Sequence, residues 1–213
     1  MRGNREQGSE RNRRGSGGVE IIERTDGAYE FRDLTAAERY FAKNGNWINS
    51  LTSAEGIAIY DYTGNGYKDI NKGLREDTVK ASDNTEIGKM VRDMDSAIEK
   101  SVLNDAIVVN RLGYAEAFGI KGKVTNRKRK DLIGGEFIDK GYVSTSAGGK
   151  GVMGEIPMKI KVPPGKGRGG YIGVQSVHSS ESEFLLKRST KFRVTGVAQG
   201  KTGISYLEIE VID

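Results

Sequence analysis

Apolar residues recur every three or four positions through the first half of the chain, the spacing of one face of a helix. Between about residues 33 and 104 this spacing predicts a lobe of four helices. The fourth has the most regular pattern, with apolar side chains at Ile87, Val91, Met94, Ile98 and Val102. We expect this helical lobe to pack against the rest of the domain.

Two of the predicted helices begin with a capping signal. Residues 35–38 and 52–55 each place a threonine three positions before a glutamate, so that the hydroxyl and the carboxylate can each accept a backbone N–H. The second of these helices is predicted to run towards Tyr62 and to break at the glycines of residues 64–66. A third, shorter helix is predicted from Tyr67 to Arg75.

After residue 104 the pattern changes to short β-rich runs separated by glycines, several of which alternate apolar and polar positions. The predicted strands are Ala106–Asn110, Tyr142–Thr145, Ile156–Val162, Gly170–Val174, Glu183–Leu186, Phe192–Val197 and Ile204–Ile212. Helices followed by strands indicate an α+β fold. We predict a single domain over residues 19–213, with the helical lobe at about 33–104 and a β core at about 105–213.

Residues 1–18 are rich in arginine, glycine and serine and almost free of apolar side chains, which predicts a flexible linker or tail. The tail has five arginines and two glutamates, so it supplies +3 of the net charge of +5. The rest of the chain is therefore nearly neutral. This distribution disfavours nucleic acid as a partner, because no broad basic face is implied.

Composition excludes several kinds of chemistry. The 213-residue chain has no cysteine and a single histidine, which argues against disulfides, cysteine nucleophiles, histidine-rich metal sites and a Ser-His-Asp triad. We therefore expect no metal, and we expect catalysis by carboxylates, arginine, hydroxyls or a bound cofactor. No apolar run approaches the roughly 20 residues that span a bilayer, and no secretory signal peptide is evident.

Two segments of the predicted β core carry candidate polar residues. Arg111 ends the apolar run of residues 106–110, where it is either functional or an ordinary solvated strand end. In the strand of residues 142–145 and the residue after it, alternation places Ser144 and Ser146 on one face and Thr145 on the other. Those hydroxyls would either orient a carboxylate or face water on an edge strand.

A third segment holds two carboxylates. Glu181 and Glu183 are two positions apart, and in an extended chain such residues point the same way. Two carboxylates so close raise the pKa of one of them, and this repulsion costs stability. Such a pair therefore suggests a functional role. The alternative is a solvated face preceding the apolar run of residues 184–186.

Together and in this order, the three segments resemble the Arg…Ser-Thr-Ser…Glu-x-Glu pattern of the arginine-type mono-ADP-ribosyltransferases, above all the enzymatic components of clostridial binary toxins. Residues 59–75 are similar to the helix pair of that family, and residues 139–146 and 181–196 to its pocket strands and closing strands. The resemblance covers roughly residues 33–212. It implies a pair of mostly antiparallel β-sheets that form an NAD cleft, with an N-terminal helical lobe.

The resemblance also implies roles for single residues, with NAD+ as the co-substrate. The residues expected to bind it are Arg111, Leu112, Gly113, Ser144, Thr145, Ser146 and Glu183. Among these, Arg111 would hold the pyrophosphate or the adjoining ribose, and Ser144 would orient Glu183. Glu183 would be the essential catalytic group, acting on the ribose 2′-OH and on the developing positive charge. Glu181 would position and deprotonate the acceptor, and a glutamate there favours arginine over asparagine.

The expected activity is the mono-ADP-ribosylation of a target protein by a toxin or effector that is secreted or delivered into another cell. NAD+ glycohydrolysis and the modification of nucleic acid are the alternatives. An immunity or delivery partner would be compatible with such an effector. His178 is a candidate for target recognition, Lys150 for a phosphate contact, and the basic run of residues 121–130 for an acidic partner or a plain solvated loop.

Overall fold

The computed structural model describes residues 12–14, 20–24, 26–44, 47–149, 154–200 and 203–212. Its α-helices are α1 (Leu34–Asn44), α2 (Ser53–Asp61), α3 (Tyr67–Arg75), α4 (Glu86–Glu99) and α5 (Asn126–Lys130). Short 3-10 turns cover Trp47–Ser50, Ala115–Phe118 and Ser179–Glu181, and a π-helical turn covers Tyr62–Gly66.

The strands follow the chain from its N-terminal region to its C-terminal region. They are β1 (Asn12–Arg14), β2 (Glu20–Glu23), β3 (Tyr29–Phe31), β4 (Val102–Leu103), β5 (Ile107–Gly113), β6 (Glu136–Asp139), β7 (Val143–Ser146), β8 (Ile156–Val162), β9 (Gly165–Lys166), β10 (Gly169–Tyr171), β11 (Glu183–Leu186), β12 (Thr190–Gln199) and β13 (Ser205–Val211). All seven predicted strands are present, β8 and β11 with the predicted ends and the other five with shifted ends, and the described helices and strands confirm the α+β class.

Strand β5 joins two groups of strands. The larger group has the order β1-β2-β3-β5-β8-β13-β12-β6, and the smaller one is β10-β11-β7. The groups meet where Asn110 of β5 pairs with Ser146 of β7. Among the described pairings, β3 with β5 and β8 with β13 are parallel and the others are antiparallel. The mostly antiparallel pair of sheets is therefore confirmed, and β5 pairs with strands of both sheets.

The small group lies between two cores because its side chains alternate. Phe184 and Leu186 of β11 belong to the core of the large sheet, where Phe41 of α1 also packs. Leu185 points the other way, into the core of the helical lobe beside Ile59 and Met94. Alternation along one buried strand thus fastens the lobe to the sheet, and it places β11 in the centre of the molecule.

The capping prediction for α1 is wrong and that for α2 is correct. Helix α1 begins one residue before Thr35, and the Asp33 carboxylate accepts the Ala36 N–H at 2.9 Å. Aspartate is at least as favourable as threonine at the N-cap position, and Asp33 directly precedes the first residue of the helix. In α2, Thr52 and Glu55 form the complete reciprocal capping box.

The predicted break at residues 64–66 is also wrong. The chain stays helical through the π-helical turn, where the Tyr67 N–H donates to the Tyr62 carbonyl. Ile59 before the turn and Ile70 after it are both buried in the lobe. Burial on both sides of the turn therefore overrides the low helix propensity of glycine. Helices α2 and α3 are joined by this turn into a nearly continuous helical segment.

The N-terminal prediction needs two corrections. Three residues of the predicted tail, Asn12–Arg14, form β1 and pair with β2, while residues 1–11 and 15–18 lie outside the described part. Strands β2 and β3 precede the helical lobe and were not predicted, because they are only four and three residues long. Three other short strands, β4, β6 and β9, were missed for the same reason.

Helix α4 follows the predicted pattern over most of its length. Val91, Met94 and Ile98 are buried, whereas Ile87 is exposed in the first turn. Val102 lies beyond the end of the helix, in β4, and its side chain is exposed. No described helix has the length and apolar character needed to cross a membrane.

A buried carboxylate links α2 to α4. Glu55 contacts Lys100 at 2.6 Å and Ser96 at 2.7 Å, and it accepts the Thr52 N–H. Burial alone would raise the pKa of Glu55, but the hydrogen bonds from Lys100, Thr52 and Ser96 lower it to about 2. The ionised form is therefore the one that stabilises the fold.

We expect Glu55→Gln to lower the free energy of unfolding at pH 7 by about 1–3 kcal/mol, because it removes a charged hydrogen-bond acceptor in a buried position. The depressed pKa means that this stabilisation is complete above 4.5 and is lost as the pH falls towards 2. Urea unfolding at several pH values measures it. A gap between variant and parent that widens on acidification would contradict the assignment.

Candidate active site

A cavity of about 490 Å³ opens between α3, the π-helical turn and the strands that meet at β5. The residues that line it are Tyr62, Thr63, Tyr67, Lys68, Asn71, Lys72, Arg75, Glu76, Arg111, Tyr114, Tyr142, Ser144, His178, Glu181 and Glu183. Five of the predicted site residues, Arg111, Ser144, His178, Glu181 and Glu183, are therefore brought together from three separate segments of the chain.

Glu183 begins β11 and is the most deeply placed carboxylate of the cavity, with 6% of its surface exposed. Burial raises the pKa of this carboxyl, and the nearby Glu181 raises it further. The side chains of Ser144 and Ser176 favour the ionised form and oppose that rise. The result is a buried carboxylate whose ionised form is stabilised by hydroxyl groups, as expected of a group that acts on developing positive charge.

Glu181 reaches the cavity by a route that differs from the predicted extended segment. It ends a 3-10 turn, and Ser182 after it adopts a left-handed conformation with φ +50°. The Ser182 hydroxyl is 3.2 Å from the Tyr171 hydroxyl, and its carbonyl accepts the Ala147 N–H at 2.9 Å. These contacts hold a conformation that is costly for a residue with a Cβ. A turn, and not strand alternation, makes the two carboxylates face one cavity.

The Ser-Thr-Ser segment forms β7 and pairs with β11. Ser144 lies opposite Leu185 in this ladder, and Ser146 lies opposite Glu183. Only Ser144 lines the cavity: the Thr145 hydroxyl donates to the Phe184 carbonyl, and the Ser146 hydroxyl donates to the Glu181 carbonyl at 2.7 Å. Thr145 and Ser146 therefore hold the backbone that carries the two glutamates.

Arg111 reaches the cavity from β5 and donates from Nη1 to the Ser144 carbonyl. Burial lowers the pKa of this guanidinium, and the nearby Asp139 carboxylate partly offsets the shift. The Arg111 guanidinium nevertheless stays charged in the cavity, because an arginine side chain is not deprotonated in proteins. The described residues around the cavity do not include Leu112 or Gly113, which the sequence predicted to bind the cofactor. Gly113 instead lines an adjacent apolar pocket that is bordered by Met158.

The cavity face of α3 was not predicted. Lys68, Lys72 and Arg75 follow one another at intervals of four and three residues, so they share one side of the helix, and Glu76 lies next to them. Arg75 also makes a bidentate ion pair with Asp139, at 2.8 and 2.9 Å. The spacing of these charged residues is a visible signal in the sequence, but a solvated helix face would carry the same one.

Asn71, on the same helix, is hydrogen-bonded through its whole amide group. Its Oδ1 accepts the Tyr142 N–H at 2.9 Å, and its Nδ2 donates to the Tyr142 carbonyl at 3.2 Å and to the Tyr62 hydroxyl at 2.9 Å. Gly141 permits this approach, since a Cβ there would lie 2.7 Å from Asn71 Oδ1. This clamp attaches the start of β7, and thus Ser144, to α3.

The segment between β10 and β11 forms the outer rim of the cavity. Its residue Val177 donates its N–H to the Thr63 hydroxyl of the π-helical turn at 3.0 Å, and the His178 N–H donates to the Ser176 hydroxyl at 3.0 Å. The His178 side chain is exposed at the mouth. The hydrogen bond from the Val177 N–H to the Thr63 hydroxyl therefore attaches the rim to the helical lobe.

The basic run of residues 121–130 lies away from this site. Residues 126–130 form the exposed helix α5, where the Lys128 ammonium donates to the carbonyls of Lys121 and Lys123, and none of these residues lines the cavity. Lys150 lies outside the described residues. Within the described ranges, no group of three or more histidine, aspartate or glutamate side chains is arranged to hold a metal ion.

The cavity combines four cations with three carboxylates. Lys68, Lys72, Arg75 and Arg111 can attract an anionic group, while Glu76, Glu181 and Glu183 can face a cationic one. A ligand with a pyrophosphate at one end and a positive charge developing at the other has the complementary chemistry. The charged residues that line the cavity therefore suit a dinucleotide that is cleaved beside Glu183.

Comparison with known proteins agrees with this chemistry. The NAD(+)--arginine ADP-ribosyltransferase EFV of Enterococcus faecalis is 28% identical over 150 residues, which make up 70% of this chain and 30% of that protein. Plx2a, an ADP-ribosyltransferase toxin from Paenibacillus larvae, is similar with a TM-score of 0.73 and 26% identity, over 86% of this chain and 99% of that one.

A third relative bears on the fold alone. C3stau2 from S. aureus, whose crystal structure was determined with NAD, has a TM-score of 0.69 at 24% identity, over 87% of this chain and 99% of that one. The model of the family described as ADP-ribosyltransferase exoenzyme matches residues 37–213, most of the chain. The protein therefore belongs to the ADP-ribosyltransferase exoenzyme family.

Proposed function

We propose that this protein cleaves NAD+ and transfers the ADP-ribose group to an arginine side chain of a target protein. The observation that supports it most is the arrangement of Glu183 and Glu181. One carboxylate is buried at the base of a cationic cavity, and the other lies nearer its mouth. Such a pair provides one group for the bond that breaks and one for the acceptor that enters.

Binding would use the cationic wall of the cavity. The Arg111 guanidinium has a planar set of donors that matches a pyrophosphate better than an ammonium does. Lys72 and Arg75 of α3 would add charge from the opposite wall. Leu112, Gly113, Thr145 and Ser146 would contribute by shaping the backbone around the cavity, since their side chains do not line it.

The chemistry requires little more than a fixed negative charge. The bond between the ribose C1′ and the nicotinamide nitrogen breaks with both electrons leaving on nicotinamide, which departs as a neutral molecule. Positive charge develops on the ribose, and Glu183 would stabilise it and accept a hydrogen bond from the 2′-OH. Ser144 would orient Glu183, because its hydroxyl is one of the groups that favour the ionised form of that carboxylate and lower its pKa.

The acceptor would enter from the rim. A guanidinium is protonated and a poor nucleophile, so it needs a carboxylate that orients it and takes a proton. Glu181 is partly exposed and faces the same cavity as Glu183, so it would perform this step. The arginine nitrogen then bonds to C1′, and the proton passes to Glu181.

We expect Glu181→Gln to separate the two half-reactions. Labelled ADP-ribose on agmatine, a small guanidine acceptor, should fall by roughly a hundredfold or more, the scale of losing a general base. Nicotinamide release with water as the acceptor should stay within about threefold, because Glu183 is intact. Chromatography of one reaction mixture measures both products.

Equal loss of both products in this variant would contradict the division of labour between the two glutamates. Nicotinamide release without any agmatine product from the unsubstituted chain would favour NAD+ glycohydrolysis instead.

The relatives include toxins, which favours action as a secreted or delivered toxin or effector on a protein of another cell. An immunity or delivery partner stays a prediction.

A further inference from the structure

A groove of about 510 Å³ lies beside the cavity, on the outer face of the helical lobe. Its lining includes Ile48, Leu51, Gly56, Ile57, Tyr60 and Gln175. Ile48 and Leu51 form a half-buried apolar floor, and α2 forms one wall. None of these residues lines the cavity of the candidate active site.

The groove and the cavity are lined by neighbouring residues of two separate segments. On α2 and the turn that follows it, Tyr60 and Asp61 line the groove while Tyr62 and Thr63 line the cavity. On the rim segment between β10 and β11, Gln175 lines the groove while His178 and Glu181 line the cavity. A molecule that covers the mouth of the cavity on this side would therefore lie next to the groove.

The groove has a mixed lining, in which polar residues such as Asp61 lie beside large apolar side chains that are exposed. Ile57 is 60% exposed and Tyr60 is 54% exposed, and their spacing of three residues places them on one face of α2. Val174, which precedes the groove residue Gln175 in the rim segment, is 62% exposed. A cluster of exposed large side chains beside a site is typical of a surface that binds protein.

The rim segment is also held against α2 closely enough to keep the groove in shape. A Cβ at Gly56 would lie 3.5 Å from Gln175 Nε2, and one at Gly64 would lie 3.7 Å from a methyl group of Val177. The hydrogen bond from the Val177 N–H to the Thr63 hydroxyl fixes the same approach. The groove is thus a preformed surface with two walls.

We propose that this groove docks the protein substrate, by receiving an apolar side chain that the substrate presents next to its acceptor arginine. The inference rests on the proposed function, because the acceptor arginine must reach Glu181 and its own protein must then lie over the rim. The bound surface would be apolar opposite Ile57 and Tyr60, and its guanidinium would meet the carboxylates of the cavity. A small guanidine would bypass the groove altogether.

The test compares a protein acceptor with a small one. The variant Ile57→Ser/Tyr60→Ser and the control Ile204→Ser are made in the full chain; Ile204 is 58% exposed and lines neither the groove nor the cavity. Each is given labelled NAD+ with agmatine, and separately with lysates of bacterial and of eukaryotic cells. We expect the double variant to label lysate protein roughly tenfold or more weakly, as for the loss of a central interface tyrosine, and agmatine within about twofold of the parent.

Each other outcome overturns the inference in a recognisable way. Unchanged labelling of lysate protein shows that the groove is not a docking surface, and equal loss on agmatine shows that it acts on catalysis. A sedimentation experiment that finds a dimer of the parent, dissociated by Tyr60→Ser, would assign the groove to a second copy of this chain. If the parent fails to label agmatine, the proposed acceptor fails and the docking surface fails with it.

Discussion

Glu183→Gln is expected to slow NAD+ cleavage by about 10²–10³-fold, the loss typical of removing one preorganised group that stabilises charge in a transition state. The amide keeps the shape of the side chain and its contact with Ser176, but it has no negative charge to set against the ribose cation. Release of nicotinamide under saturating NAD+ measures the effect, because it does not depend on the identity of the acceptor.

The same substitution should leave the fold intact. Burial raises the pKa of Glu183 in the folded protein above its ordinary value of 4.5, so the ionised group costs stability above that raised pKa and costs nothing below 4.5. At pH 7 the neutral amide removes this cost, and the unfolding temperature should stay equal or rise. Glu116→Gln, an exposed carboxylate outside the cavity, is the matched control and should change neither quantity.

The raised pKa of Glu183 also sets the direction of the pH profile. Cleavage needs the ionised carboxylate, so the rate should fall as the pH is lowered through a pKa above 4.5. In Glu183→Gln the residual rate should lose this step. A variant that retains more than a tenth of the parental rate, or one that retains the acidic step, would show that another group bears the charge.

Asn71→Leu is expected to lower the free energy of unfolding by about 2–4 kcal/mol. It leaves three buried polar groups without their partner: the Tyr142 N–H, the Tyr142 carbonyl and the Tyr62 hydroxyl. Each buried group that loses its hydrogen bond costs about 1–3 kcal/mol, reduced where the site relaxes. Urea unfolding followed by circular dichroism measures the change.

The matched control is Asn65→Leu, the same substitution at an exposed position of the π-helical turn, where we expect a change within about 0.5 kcal/mol. Because Asn71 holds the start of β7, we also expect its variant to lose NAD+ cleavage at temperatures where it is still folded. A variant that is as stable as the control would mean that water replaces the amide and that the clamp between α3 and β7 contributes little.

The sequence by itself determined the elements whose signal is local. The 3.6-residue spacing located α4, the capping box located the start of α2, and alternation located β8 to within a residue. It also picked out Arg111 and Glu183, because the resemblance rested on short segments in a particular order. These features depend on neighbours along the chain, so one sequence contains them.

Only the tertiary structure decided what depends on packing between distant segments. Burial of Ile59 and Ile70 kept the chain helical through the glycines of residues 64–66, against their propensity. The left-handed Ser182 is held by contacts with Tyr171 and Ala147, and it turned the two glutamates to one cavity.

The cationic face of α3 became part of the site for the same reason. Lys68 and Lys72 line the cavity because α3 packs across from β5 and β7, an arrangement that Asn71 fixes from a distance of 71 residues along the chain. Periodicity gives the side of a helix on which a residue lies but not what that side faces. The partner of each face is decided by long-range burial and hydrogen bonding, which have no local signature.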